Sequence, residues 1–150
     1  HALIMEGIRG AHNSQARKQG AMDAFAEHPE INLLTVESGY WKIAEGRALM
    51  KRWLEQYPQM NLVFAANDMM AFGILEALKE ADRDDVLVAS FDALQPARQA
   101  IREGRLQATV DQQPERQGYI GVEFAVRALK GEALPAETYV EAMLVTAENL

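Results

Sequence analysis

Three aspartates stand where apolar runs of strand length stop: Asp68, Asp92 and Asp111. Asn67 precedes the first of them, and Gln112 follows the last. Carboxylates that converge can act as acid and base. They can equally accept from hydroxyl groups, with neighbouring amides as donors. One arginine and one exposed aromatic ring would complete a polyol site, because an indole stacks on the C–H face of a sugar. Arg17 and Trp41 are the candidates. Each of these residues has an ordinary alternative. Arg17 can be a solvated surface residue, and Trp41 can cover a sheet end. Asn67-Asp68 can be a turn, with Asp68 as the helix N-cap. Signatures of enzymes are weak. His1, His12 and His28 are scattered, and none has a ligand partner one helical turn away, so no metal and no cofactor is expected. The sequence has no dinucleotide-binding glycine pattern, no phosphate-binding loop and no nucleophile elbow.

The elements that must position these residues follow from periodicity. Residues 61–65 form an apolar run, Asn67-Asp68 comes next, and a helical pattern starts at Met69. A buried strand that turns at a polar pair into a helix is half of a parallel βα unit. Ligands of open α/β sheets sit just beyond the carboxyl ends of such strands. The same reading gives strands over 2–5, 31–36, 86–91, 106–110 and 139–145. It gives helices over about 13–27, 43–57, from 69 into the charged run 79–85, 95–103 and 115–130, punctuated by Pro29, Pro58, Gly104 and Gly131. On the first helix Ala16, Gly20, Met22, Ala24 and Phe25 share a face. Trp53 lies on the apolar stripe of the second and reads as core. Five βα units and a final strand predict an α/β three-layer sandwich with a mostly parallel, doubly wound sheet.

Composition narrows the class. The 150 residues suit one domain, and 49% apolar content can build a core. A formal charge of −7 argues against a nucleic-acid surface. With no cysteine there is neither a disulfide framework nor a thiolate metal site. No apolar run is long enough to span a membrane.

Four pieces of the chain carry a resemblance. They are EGIRGAHNSQARKQG, ESGYWKIAEGRALM, NLVFAANDMMAFGILEAL, and VLVASFDA with REGRLQATVDQQPERQGYIGVEFAVRALKGE. In this order they resemble the C-terminal half of ribose-binding-protein-like periplasmic sugar-binding proteins, which have the type I periplasmic binding fold. The likeness covers essentially all of the chain. It implies one lobe of a two-lobed binder that closes on a monosaccharide or polyol and delivers it to an ABC transporter permease, and in some cases to a chemoreceptor. It also implies a periplasmic or lipid-anchored extracytoplasmic location and no catalysis.

The resemblance places Arg17 at a hydroxyl-clamping arginine and Trp41 at the aromatic that covers the sugar. Asn67 falls at an amide ligand, Asp92 at an aspartate ligand and Gln112 at a glutamine before the hinge. Asn13 lies near the first loop, which is a little longer here than in the ribose binders. Trp41 stands where a smaller phenylalanine is usual, which changes the room for ribose. Residues 1–113 would be the C-terminal ligand-binding lobe. Residues 114–141 would belong to an absent N-terminal lobe, and 142–150 would be the return strand and tail. The polypeptide would then be a fragment with weak binding, and 114–141 would either pack back on the lobe or exchange with a second copy. Two alternatives stay open. One is the effector-binding core of a lactose-repressor-like regulator or other sensor. The other is an enzyme using Asp68 and Asp92 as an acid/base pair.

Overall fold

A computed structural model describes residues 1–150. The strands are β1 (Ala2–Glu6), β2 (Leu33–Ser38), β3 (Leu62–Ala65), β4 (Leu87–Ala89), β5 (Ala108–Asp111) and β6 (Met143–Thr146). The helices are α1 (His12–Ala26), α2 (Ile43–Gln56), α3 (Asp68–Glu80), α4 (Gln95–Arg102) and α5 (Pro114–Leu129). All six strands form one sheet in the order β2-β1-β3-β4-β5-β6. The first five are parallel, and β6 runs antiparallel to β5.

The strand order decides where the helices go. The chain steps from β1 one way to β2, then back across β1 and onward through β3, β4 and β5. Right-handed crossovers therefore put α1 on one face of the sheet and α2, α3 and α4 on the other. The side chains follow the pleat. Leu3, Met5, Val63, Ala65 and Val88 point into a core shared with Met50, Trp53, Met70, Ile74 and Ile101 of the three helices. Trp53 is fully buried, as its place on the stripe predicts. α2 and α3 meet almost backbone to backbone. A Cβ added at Gly73 would lie 2.2 Å from the carbonyl oxygen of Ile43, and one at Gly46 would lie 2.8 Å from that of Met70.

The α1 face is thinly covered. Ala16, Gly20, Ala24 and Phe25 line an open apolar trough with Leu62, Phe64, Ala89 and Phe91 of the sheet. Met22, expected on that helical face, is exposed instead. α5 stands further out. None of its residues is buried, and Tyr119, Val122 and Leu129 are 71%, 68% and 89% exposed. α5 therefore does not pack back on the lobe, which leaves exchange with a second copy as the other expected outcome.

Four strands also depart from expectation by two residues or more, β5 among them, which starts at Ala108 rather than at 106. β2 starts two residues late, because Ile31 N–H closes a turn on His28 O after Pro29. β4 is shorter because Asp92 and Ala93 turn sharply, with φ of 113° and 54°. β6 begins at Met143 rather than near Tyr139, since β5 offers no partner beyond Asp111. There Gln113 is left-handed at φ 53°, and Pro114 has no N–H to donate.

Candidate functional site

The carboxyl ends of β1, β3, β4 and β5 and the start of α1 meet at one edge of the molecule. Arg17, in the second turn of α1, reaches over this edge. Its Nη1 donates to the carbonyl oxygen of Ala66 at 2.7 Å, and its Nη2 pairs with Asp92 Oδ1 at 3.0 Å. The guanidinium lies 3.9 Å from the centroid of the Phe91 ring and 5.6 Å from that of Trp41. A cation held this way by a carbonyl, a carboxylate and two aromatic faces is positioned rather than solvated.

Asp92 is the junction of the site. Its Oδ1 also accepts from Gln112 Nε2 at 3.0 Å, so Arg17, Asp92 and Gln112 form one hydrogen-bonded chain. Burial pushes the Asp92 carboxyl above its ordinary range, Arg17 pulls it down, and the nearby Asp68 adds to the upward shift. Asp92 and Ala93 are both left-handed, and so are Tyr40, Trp41 and Gln113. Five of the six non-glycine residues with positive φ thus ring this edge. Backbone strain of this kind clusters where side chains must be aimed.

Asn67 ends the turn after β3 and caps α3, with its Oδ1 accepting from Met70 N–H at 2.9 Å. Its side-chain NH2 has no partner within the chain. The cap is therefore Asn67 and not Asp68, which corrects the sequence expectation. Asp68 points inward and is 0% exposed. Its Oδ1 accepts from the hydroxyls of Ser90 and Thr109, and its Oδ2 accepts from Leu94 N–H at 2.7 Å. Burial raises its carboxyl above the usual range, against the lowering effect of these bonds. Sealed in this way, Asp68 cannot face a substrate, so the acid/base pairing with Asp92 fails on access. Asp111 is committed as well, to Arg98 Nη2 at 2.7 Å and to Gln113 N–H at 2.7 Å.

Trp41 packs partly against the core at the end of β1, directly over Gly7. It is thus both a cover for the sheet end and one side of the Arg17 environment. Asn13 is brought no further than the start of α1. It is exposed, its Oδ1 accepts from the adjacent Ser14 N–H at 2.9 Å, and it makes no hydrogen bond to the other candidates. Phe91 was not singled out from the sequence, where it is only the last apolar residue of VLVASF. Its signal is parity. It shares a strand face with Ala89, the face on which α1 and Arg17 lie. No group of three His, Cys, Asp or Glu side chains is arranged as metal ligands would be.

Donors on Arg17, Asn67 and Gln112, acceptors on Asp92 and an indole edge suit a small polyhydroxylated molecule. Residues 1–133 match the model of the periplasmic binding protein domain. This chain belongs to the periplasmic binding protein family. The domain is 36% identical over 143 residues to the ribose import binding protein RbsB of Escherichia coli, covering 95% of this chain and 48% of that protein. It is 31% identical to the D-allose-binding periplasmic protein of the same organism, covering 95% and 46%. Among solved structures, the solute-binding protein of Actinobacillus succinogenes with bound D-allose superposes with a TM-score of 0.96 at 34% identity, covering 98% of this chain and 52% of that one. The Bacillus halodurans protein with bound myo-inositol gives 0.92 at 34%, covering 98% and 51%. The periplasmic binding protein domain described here spans about half the length of the curated relatives it matches. Those relatives are import and solute-binding proteins, and none of those named is a transcription regulator. No helix is long and apolar enough to cross a membrane.

Proposed function

We propose that this chain supplies one wall of the sugar site in the solute-binding component of an ABC transporter, acting in the periplasm without catalysis. The observation that carries the reading is the chain Arg17–Asp92–Gln112, set beside Trp41 and the unpaired amide of Asn67 at the carboxyl edge of the sheet. Asp92 would accept from one hydroxyl, while Arg17, Asn67 and Gln112 would donate to others. Trp41 would lie against the C–H face of the ring. The ligands named for the relatives (ribose, allose, myo-inositol) share this hydroxyl chemistry. Asn13 keeps a place at the rim of the same edge.

Residues 1–113 would then act as one lobe, 114–141 would lodge against a second lobe, and 142–150 would return to the first. Closure of two lobes on ligand shifts the population to a form that a permease, and in some systems a chemoreceptor, can read. A single wall holds only part of the contacts, so this chain alone binds weakly.

Tryptophan emission during titration with pentoses, hexoses and polyols tests the reading, with Trp41→Phe as control. The expected result is a saturable change at high sugar concentration that the variant loses. A flat response to every sugar in a chain carrying both lobes would overturn it.

A further inference from the structure

We propose that Gly7 is the positioning residue for Trp41, and that its missing side chain sets how large a sugar ring or polyol the site accepts. The second half rests on the sugar-binding reading above. An ideal Cβ at Gly7 would fall 2.0 Å from Trp41 Cζ2, 2.2 Å from Cε2 and 2.3 Å from Cη2. The six-membered ring of the indole therefore occupies the volume a side chain would take. Gly7 has no left-handed φ, so an alanine meets no backbone objection there. The three heavy atoms nearest to that Cβ all belong to the indole.

The backbone that carries the indole is held in place. Tyr40 and Trp41 are successive left-handed residues, with φ of 53° and 65°. Before them Gly39 is packed so closely that a Cβ would meet Met5 Sδ at 2.7 Å and Met70 Sδ at 2.8 Å. Ser38 ties the two loops together. Its Oγ donates to the carbonyl oxygen of Gly7 at 2.5 Å and accepts from Tyr40 N–H at 3.2 Å. The seat and the ring thus form one unit at the ends of β1 and β2. A methyl group on Gly7 needs about 3.5 Å from ring carbons, so it must push the indole outward by roughly 1.5 Å. Outward from the strand ends is the space where ligands of open α/β sheets lie. A deeper seat admits a bulkier ligand, and a filled seat favours a smaller one.

The test uses the 150-residue chain labelled with 5-fluorotryptophan. Its two tryptophans, Trp41 and Trp53, give two fluorine resonances, which Trp41→Phe assigns. Gly7→Ala is expected to move the Trp41 resonance and leave that of Trp53 in place. Titrations followed by the same signal, with D-ribose, D-allose and myo-inositol, should show selectivity for the six-carbon ligands over ribose falling about tenfold, the scale of one methylene in a fitted pocket. In a Trp41→Phe background, followed by proton NMR, the same Gly7→Ala change should alter neither stability nor selectivity, because the smaller ring leaves room for the methyl. An unmoved Trp41 resonance would overturn the proposal, and so would an equal penalty in both backgrounds. If Gly7→Ala alone fails to fold, recovery in the double variant supports the contact, and failure of both assigns the effect to the backbone and ends the proposal. Where the single wall binds too weakly to titrate, the same comparison is made in a chain carrying both lobes; failure of that chain to bind any of the three would remove the specificity half together with the sugar reading, while the fluorine shift would still decide the contact.

Discussion

Arg17 and Asp68 illustrate two opposite uses of a charged side chain. Arg17 is tied at both ends and still faces the open edge, so it can exchange Asp92 for a ligand hydroxyl at small cost. Arg17→Lys keeps the charge but loses the planar fork that spans Ala66 O and Asp92. Sugar affinity should then fall about tenfold or more with little change in Tm, as calorimetry and thermal unfolding would report. Unchanged affinity would remove Arg17 from the site. Asp68 is spent inside the fold. Asp68→Ala strands two hydroxyls and one N–H in the interior and should lower stability by about 3 kcal/mol in denaturant unfolding. Asp68→Asn keeps one acceptor and should cost less. The folded pKa of Asp68 is raised, so the folded state holds its proton more tightly than the unfolded state does. Its favourable share is full below the ordinary carboxylate range and is lost as pH rises through the raised value. The stability advantage of wild type over Asp68→Asn should therefore be largest below about pH 4 and shrink as pH rises through the raised value. An advantage that grows toward neutral pH would sink this account.

At the scale of elements, the alternation of strand and helix was readable because each apolar run has its own period. Asp92 was readable for the same reason, since the end of a strand is marked in the sequence and the edge of an α/β sheet gathers those ends, whereas Gln112 was placed by the resemblance alone. What joins them was not. Arg17 meets a carbonyl 49 residues away and Phe91 across the sheet, and nothing local records such a meeting. Asn67 and Asp68 show the limit most clearly. Either side chain could cap α3, and only the buried hydroxyls of Ser90 and Thr109, on β4's exit and β5, decide which one turns inward. The close crossing of α2 and α3 was equally hidden, because Gly46 and Gly73 look like ordinary helix interruptions until the two backbones touch. Gly73→Ala should overpack that contact and cost about 3 kcal/mol, the upper part of the usual range for overpacking. A denaturation midpoint equal to wild type would show that the crossing yields.

For the whole molecule, the sheet is evenly built and its covering is not. α2, α3 and α4 bury one face, α1 alone shelters the other, and α5 buries nothing. Exposed apolar surface of this kind seeks a partner. Val122→Glu combined with Leu129→Glu should leave stability unchanged within a few tenths of a kcal/mol, since neither residue is buried in this chain. The same pair should abolish any concentration-dependent association seen by sedimentation velocity. Association that survives both charges would place the contact elsewhere, with the trough beside α1 as the next surface to examine.

β5 and β6 lie side by side, with Asp111 opposite Met143, and Gln113 Nε2 donates to Glu141 O at 2.6 Å. The chain thus leaves for α5 and comes back at neighbouring points, one strand spacing apart. In construction terms the segment between is a detachable cassette. An Asn-Gly turn placed between Gln112 and Ala142 would close β5 and β6 into an ordinary hairpin without moving either strand. The same doorway should accept a foreign domain whose termini are close together, and its rearrangements would then pull directly on Gln112, just past the end of β5.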